Sequence, residues 1–106
     1  MQTYLVVRRS AWPSLGEQRE ADARSVLEAV RMAEEIASIR SYPLEERDRT
    51  IGSICIFEAS SPEAVRRHAA AASLPVDEIV KVADTVREAD PGLEGDRGIL
   101  RREKQT

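Results

Sequence analysis

The sequence predicts an α+β domain in which two helices lie on one face of a four-stranded antiparallel sheet. Three observations predict it. Strand-like and helix-period segments follow one another in the order strand, helix, strand, strand, helix, strand. The 106 residues, 42% of them hydrophobic, suffice for one small core. Each predicted helix also starts with its own capping signal. We expect a domain at residues 1–90 and a charged flexible tail at 91–106.

The first predicted strand covers Thr3 to Arg9, because β-branched and aromatic residues cluster there without Gly or Pro. A loop leads to Ser14, which forms a capping box with Glu17 and predicts a helix start. Apolar residues recur every three or four positions in this helix, so their stripe is expected to cover the sheet. The stripe consists of Ala23, Val26, Leu27, Val30, Ala33 and Ala37.

The second and third strands are predicted from alternating residues on either side of a charged connection. Ala37 to Pro43 alternates and stops at its proline, as a short strand does. Leu44 to Arg49 is expected to form a solvated hairpin connection. The third strand, Thr50 to Ala59, places Ile54 and Ile56 on one face and Ser53, Cys55 and Phe57 on the other.

The second helix is predicted after Ser61 and Pro62, which supply an N-cap hydroxyl and a proline at the first helical position. It ends before Pro75, and Ile79 to Val86 supplies the fourth strand. The element order is that of the ferredoxin-like βαββαβ fold. The apolar stripe of this helix consists of Ala64, Val65, His68, Ala69 and Ala72.

A sheet with both helices on one side leaves its other face uncovered. We expect Cys55 and Phe57 on this open face, and a homodimer that buries it as a dimeric α/β sandwich or barrel. Trp12, in the loop before the first helix, is expected to contact the partner or to cover a pocket.

Composition argues against several function classes. A net charge of −3 and only four aromatic residues do not favour nucleic-acid binding. The longest apolar runs are far shorter than the roughly 18 residues of a membrane span. The amino terminus lacks the pattern of a secretory signal, and Cys55 is the single cysteine, so we expect a cytoplasmic protein.

Few residues could carry chemistry, because phosphate loops, dinucleotide fingerprints and zinc motifs need glycines, histidines or cysteines that the chain lacks. His68 is compatible with a metal ligand, a general base or a buried histidine with one hydrogen bond. Cys55 is compatible with a soft metal ligand, a nucleophile or a small buried hydrophobe. Tyr42 and Glu58 are either site residues or ordinary surface residues. A tight transition-metal site would also need carboxylates or a second chain.

Four segments resemble successive motifs of the small nickel-binding, ferredoxin-like proteins, a family whose members are mostly described as a domain of unknown function. The segments are Ile39–Tyr42, Cys55–Ala59, Glu63–Ala69 and Leu74–Ile79. The resemblance implies dimeric ferredoxin-like subunits and nickel binding, and the matching positions are Tyr42, Cys55, Glu58 and His68. Val7 stands where the family usually has a glutamate.

Three functional hypotheses follow. The first is a homodimer that binds nickel or another divalent transition metal through His68, Cys55 and Glu58. The second is a cofactor-independent enzyme or small-molecule-binding protein with a pocket between helices and sheet, in which His68 is the acid or base and Tyr42 a hydrogen-bond donor. The third is an interaction module in which the acidic sheet dimer and the charged tail bind another protein and no residue does chemistry.

Overall fold

The computed structural model describes residues 1–83, which form six elements in the predicted order. The elements are β1 (Gln2–Trp12), α1 (Leu15–Arg31), β2 (Ile36–Glu45), β3 (Ile51–Ala59), α2 (Pro62–Ala71) and β4 (Glu78–Lys81). The strands pair antiparallel in the order β2-β3-β1-β4, with both helices packed on one face, so the predicted α+β fold is confirmed. The fourth strand ends at Lys81, earlier than the predicted Val86, and Val82 and Ala83 are not part of it. Residues 84–86, the domain boundary at residue 90 and the tail at 91–106 lie outside the described residues.

Both helices begin at their predicted caps. The Ser14 hydroxyl accepts a hydrogen bond from the Glu17 backbone N–H at 3.2 Å. Helix α1 starts at Leu15, directly after Ser14. The Ser61 hydroxyl accepts one from the Ala64 N–H at 3.1 Å, with Pro62 at the start of α2. Each cap satisfies a backbone donor that the first helical turn leaves unpaired. Neither helix in residues 1–83 has the length and apolar character that crossing a membrane requires.

The sheet face beneath the helices carries the inward residues of β1 and β3. The prediction that Cys55 and Phe57 lie on the open face is wrong: both are buried, and they pack with α2 residues in the core. Alternation separates the two faces of β3, but both faces are apolar, so the pattern alone does not tell which one the helices cover. The buried positions are Tyr4, Val6 and Arg8 from β1, and Ser53, Cys55, Phe57 and Ala59 from β3.

The open sheet face has an apolar centre. Leu5 pairs with Ile56 on one side and with Val80 on the other, and Val7 pairs with Ile54. The four central side chains are only half-buried, although they come from the two middle strands of the sheet. We call Leu5, Val7, Tyr42, Ile54, Ile56 and Val80 the open-face patch.

The stripe predicted to bury α1 faces outward instead. Val26, Leu27 and Val30 are 55%, 51% and 68% exposed. The helix ends at Arg31, so Ala33 and Ala37 are not part of it. The buried face is formed by Gln18, Ala21 and Ser25, which also follow a helical period. Two of these residues are small, which lets α1 approach the sheet closely, and Arg24 fixes the helix by donating to the Ala72 carbonyl at 2.9 Å.

Strand β1 continues through the segment predicted as a loop. Its pairing with β3 shifts between Arg8 and Trp12, and Ser10 adopts a left-handed backbone with φ of 46°. The Glu46 carboxylate holds this irregular segment by accepting from the Arg9 side chain and from the Ser10 N–H at 2.9 Å. The Arg9 hydrogen bond is the main cause that lowers the pKa of Glu46 below its usual value. Pro43 lies within β2, where it is tolerated because β2 is an edge strand.

Candidate functional site

A small cavity lies between α1 and the covered face of the sheet. Its volume is about 10 Å³, which is room for about one water molecule. Half-buried Trp12, Asp22 and Leu74 form part of its wall, so Trp12 lies at a pocket, at the end of β1. We call it the Arg8–Cys55 cavity. Its buried polar wall residues are Arg8, Gln18, Ser25, Ser41, Ser53 and Cys55, of which only Ser41 is half-buried.

Arg8 places a buried positive charge beside this cavity. Its side chain is among the largest fully buried ones, although it comes from a strand whose inward neighbours are Tyr4 and Val6. Nε donates to the Pro75 carbonyl at 2.6 Å and Nη1 donates to Cys55 Sγ at 3.2 Å. Nη2 is buried and has no acceptor within residues 1–83, and no carboxylate of these residues forms a salt bridge with Arg8. A buried charge is costly unless it is paired, so Arg8 depends on the Pro75 carbonyl and the Cys55 sulfur as acceptors.

Cys55 lies at the centre of several hydrogen-bonding groups. Besides the Arg8 contact, its Sγ lies 3.0 Å from the Ser41 hydroxyl and 3.9 Å from the Ser53 hydroxyl. Ser41 reaches the sulfur because it is the β2 residue paired with Cys55, so both side chains point to the same face. The sulfur of this free cysteine is therefore surrounded by groups able to donate to it.

His68 is fully buried on α2 and does not belong to the cavity wall. Its Nε2 lies 2.8 Å from the Ser25 carbonyl oxygen, to which it donates, and Phe57 packs edge-on against its ring. Burial lowers the pKa of His68, the Ser25 carbonyl opposes this shift, and the nearby positive charge of Arg8 adds to it. Its Nδ1 has no partner within residues 1–83. The Ser25 hydroxyl also lies 3.4 Å from Nε2, so the geometry is that of a neutral buried histidine whose polar contacts both come from Ser25.

The predicted site residues do not come together. Tyr42 and Glu58 are exposed and lie on the open face, whereas Cys55 and His68 lie beneath the helices on the other side of the sheet. Residues 1–83 contain no group of three or more His, Cys, Asp or Glu side chains that could hold a metal ion. Arg8 beside Cys55 also opposes a divalent cation there. A nickel ion therefore does not fit a site made from residues 1–83 of one chain.

The cavity residues other than Cys55 and Trp12 were missed by sequence reasoning. A signal for Arg8 exists in the sequence, because it shares the alternation of Tyr4 and Val6 and so occupies an inward position of an apolar strand. An arginine at such a position predicts a buried charge that needs partners. Ser41 and Ser53 carry no comparable signal, since serine is common on strand surfaces and in turns.

Comparison with known proteins decides the family. Residues 4–82 match the family described as nickel responsive protein SCO4226-like. The chain belongs to this family. Its membership confirms the resemblance seen in the sequence, and the family is described as nickel responsive.

A solved relative of the family has the same fold. The crystal structure of SCO4226 from Streptomyces coelicolor A3(2) superimposes with a TM-score of 0.60 at 21% sequence identity. The match covers 79% of this chain and 99% of that one. No curated protein matches the sequence.

Proposed function

We propose that this protein acts in a nickel response as a cytoplasmic homodimer, with the open sheet face as the contact between two copies. The observation that carries the proposal is the open-face patch, which is apolar at the centre of the sheet and uncovered within residues 1–83. Tyr42 and Val80 at its rim are 46% and 40% exposed. Contiguous exposed apolar surface of this kind is typical of protein contacts, and a twofold contact buries the same patch on both copies.

We expect nickel to bind between the two copies. Glu58 and Glu78 present exposed carboxylates on the open face, next to Thr3 and Val7 in the sheet register. A second copy on this face adds its own carboxylates there, whereas it cannot reach His68 or Cys55 beneath the helices. Of the three predicted metal ligands, Glu58 is therefore the one to which a second copy can add further oxygen ligands. Divalent nickel accepts such oxygen ligands together with water.

The dimer is tested by the molar mass in solution. The chain of 11.8 kDa should elute with twice that mass in light-scattering chromatography, and Ile56→Glu should give a monomer, because a carboxylate would be buried at the contact. The matched control is Val26→Glu, which adds the same charge to the outer surface of α1. A monomeric parent protein contradicts the proposal, and so does a dimer that only Val26→Glu dissociates.

The metal site is tested by titration calorimetry with Ni²⁺ on the parent protein and two variants. Glu58→Gln should abolish saturable binding while the dimer persists, and His68→Gln should retain it. Circular dichroism confirms that each variant is folded. If the parent protein is a folded dimer and takes up no nickel, the proposed metal binding is contradicted. If only the His68→Gln variant loses nickel uptake while it remains a folded dimer, the choice of Glu58 as ligand is contradicted.

A further inference from the structure

We propose that an apolar groove between α1 and β2 binds a later segment of the same chain, residues 97–102, with Ile99 and Leu100 as the side chains that fill it. The contact covers the outer stripe of α1, an apolar surface of residues 1–83 that is separate from the open-face patch. It does not depend on nickel or on the dimer, because the groove lies beside α1 at the β2 edge of the sheet and not on the open face.

The groove, which we call the α1–β2 groove, is apolar and of the size of a binding pocket. Its volume is about 360 Å³, within the range of about 300–1,000 Å³ that is typical of ligand pockets. Val26 and Val30 on its α1 side are 55% and 68% exposed, and they lie one helical turn apart, so they present one continuous apolar surface. Covering this surface with apolar side chains is favourable. The lining residues, none of which is charged, are Val26, Ala29, Val30, Ala33, Ile36, Ala37, Ser38 and Ile39.

The described part of the chain ends at the same end of the sheet as the groove. The Val82 N–H donates to the Thr3 carbonyl at 2.9 Å, so the chain continues from a point beside the start of β1. At this end of the sheet Gln2 pairs with Ala59, and Ala59 pairs with Ile36, which lines the groove. Strands β4 and β2 are the two edges of a four-stranded sheet, so three strand spacings, about 14 Å, separate them.

The chain after Ala83 is long enough to cross this distance. Ile99 is 16 positions after Ala83. A flexible chain of this length has an average end-to-end distance of about 20–24 Å, and its full extension is about 50 Å. The groove therefore lies within the average reach of Ile99, and tethering at such a length gives a local concentration in about the millimolar range.

Residues 97–102 match the groove in polarity and in charge. Ile99–Leu100 is the only pair of adjacent large apolar residues between positions 84 and 106, and Arg101–Arg102 follows it directly. On the groove side, Glu34 follows the lining residue Ala33, is exposed, and forms no salt bridge within residues 1–83. The basic residues of the segment thus complement an exposed carboxylate beside the groove.

A second groove, between α2 and β4, suits the apolar pair less well. Its volume of about 380 Å³ is similar, but Arg66, Asp77 and Glu78 are among its lining residues. An apolar pair placed there would take charged groups out of water without offering them a hydrogen bond, which is costly. The α1–β2 groove, whose lining carries no charge, is therefore the better place for Ile99 and Leu100.

Methyl NMR on the full-length protein tests the contact directly. Nuclear Overhauser effects are expected between the methyl groups of Leu100 and those of Val30 or Ile39. Samples mixed from isotope-labelled and unlabelled protein separate contacts within one chain from contacts between two copies. The proposal is overturned if the Leu100 methyl groups contact no groove residue, if they contact Ile56 of the open face instead, or if every groove contact runs between copies.

Variants of the segment test which side chains fill the groove. Ile99→Ser combined with Leu100→Ser should shift the methyl resonances of Val26 and Val30, because the apolar contact is lost. The matched control is Leu93→Ser, which removes an apolar side chain outside residues 97–102 and should leave these resonances in place. All three changes lie after residue 83, so the sequence of the described fold stays intact. Unshifted groove resonances in the double variant overturn the proposal, and so does an equal shift with Leu93→Ser.

Disulfide formation gives a rate for the same contact. Ala33→Cys combined with Arg101→Cys should cross-link within the chain at least about tenfold faster than Ala70→Cys combined with Arg101→Cys, because docking raises the local concentration of the two thiols. Ala33 and Ala70 are both exposed, whereas Cys55 is buried, and peptide mapping identifies the pair that has formed. Equal rates for the two variants overturn the proposal.

Discussion

Arg8 and His68 are both fully buried basic side chains. The cost of burying a positive charge is avoided at His68 and offset by hydrogen bonds at Arg8. His68 remains neutral, because burial lowers its pKa and its Nε2 has the Ser25 carbonyl as partner. Arg8 is held instead by two acceptors, the Pro75 carbonyl and the Cys55 sulfur. We therefore expect His68 to act on stability, and the contacts of Arg8 to fix the position of Cys55.

The titration of His68 predicts a pH-dependent stability. Below its ordinary pKa of 6.5 the unfolded chain takes up a proton that the folded chain, with its lowered pKa, does not bind. The contribution of His68 to the free energy of unfolding should therefore be fully present above that value. The free energy of unfolding should fall as pH decreases from 7 to 5. Denaturant titrations at several pH values measure this fall in the parent protein and in His68→Gln.

The His68→Gln variant separates this effect from other groups, since glutamine does not titrate. Glu46 and Asp48 have lowered pKa values and titrate in the folded chain below the pH 5–7 window. The variant should be less stable at pH 7 but show a smaller fall towards pH 5. Parallel pH profiles for the two proteins would count against a neutral buried His68.

At the scale of elements, β1 and β3 approach each other closely where their pairing is irregular. Gly52 on β3 lies beneath this segment of β1: a Cβ placed there would lie 2.5 Å from the Arg8 carbonyl oxygen and would also meet the Glu46 carboxylate. The absence of a side chain at Gly52 is therefore what lets Glu46 reach Ser10 and lets Arg8 keep its place beside the cavity.

Gly52→Ala should destabilise the fold by about 1–3 kcal/mol, because backbone must move to make room for the methyl group. Chemical denaturation gives the free energy of unfolding. The matched control is Gly16→Ala in the first turn of α1, where a Cβ meets only Ser14 Oγ at 3.8 Å. That change should be neutral or stabilising by up to about 1 kcal/mol, since alanine is the better helix former. Equal effects of the two changes would refute the close approach at Gly52.

At the scale of the whole molecule, residues 1–83 carry apolar surface on two sides. One is the open-face patch, and the other is the outer stripe of α1, which includes Val26, Leu27 and Val30. The patch spans all four strands of the sheet, whereas the stripe is confined to one helix and the groove that it forms with β2. The broader surface is the better contact between two copies, which is why the proposed dimer uses it.

A dimer that buries the open-face patch predicts that thermal stability depends on protein concentration. The melting temperature should rise with concentration in the parent protein, because association stabilises the folded state by mass action. Calorimetric scans over a hundredfold range of concentration measure this rise. The monomeric Ile56→Glu variant should melt at one temperature throughout. A parent protein whose melting temperature does not change with concentration would contradict a dimer in equilibrium with monomers.

The sequence predicted the elements of the fold more closely than the site. Both caps, the element order and the buried stripe of α2 follow from local signals that need no knowledge of distant residues. The site could be predicted only in part. Cys55 was identified because it is the single cysteine, but the contacts of its sulfur with Arg8 and Ser41 join residues 47 and 14 positions away along the chain.

What the sequence determined by itself is the set of strands and helices, their order and the family, because caps, period and motifs are properties of neighbouring residues. The tertiary structure alone decided which face of β3 and which face of α1 is buried. Strand β3 is apolar on both faces and α1 has two stripes of helical period, so the faces were fixed by how closely small residues such as Ala21 and Ser25 let the layers approach. That choice buried Cys55 beside Arg8 and left Ile54 and Ile56 on the open face, where we propose that two copies meet.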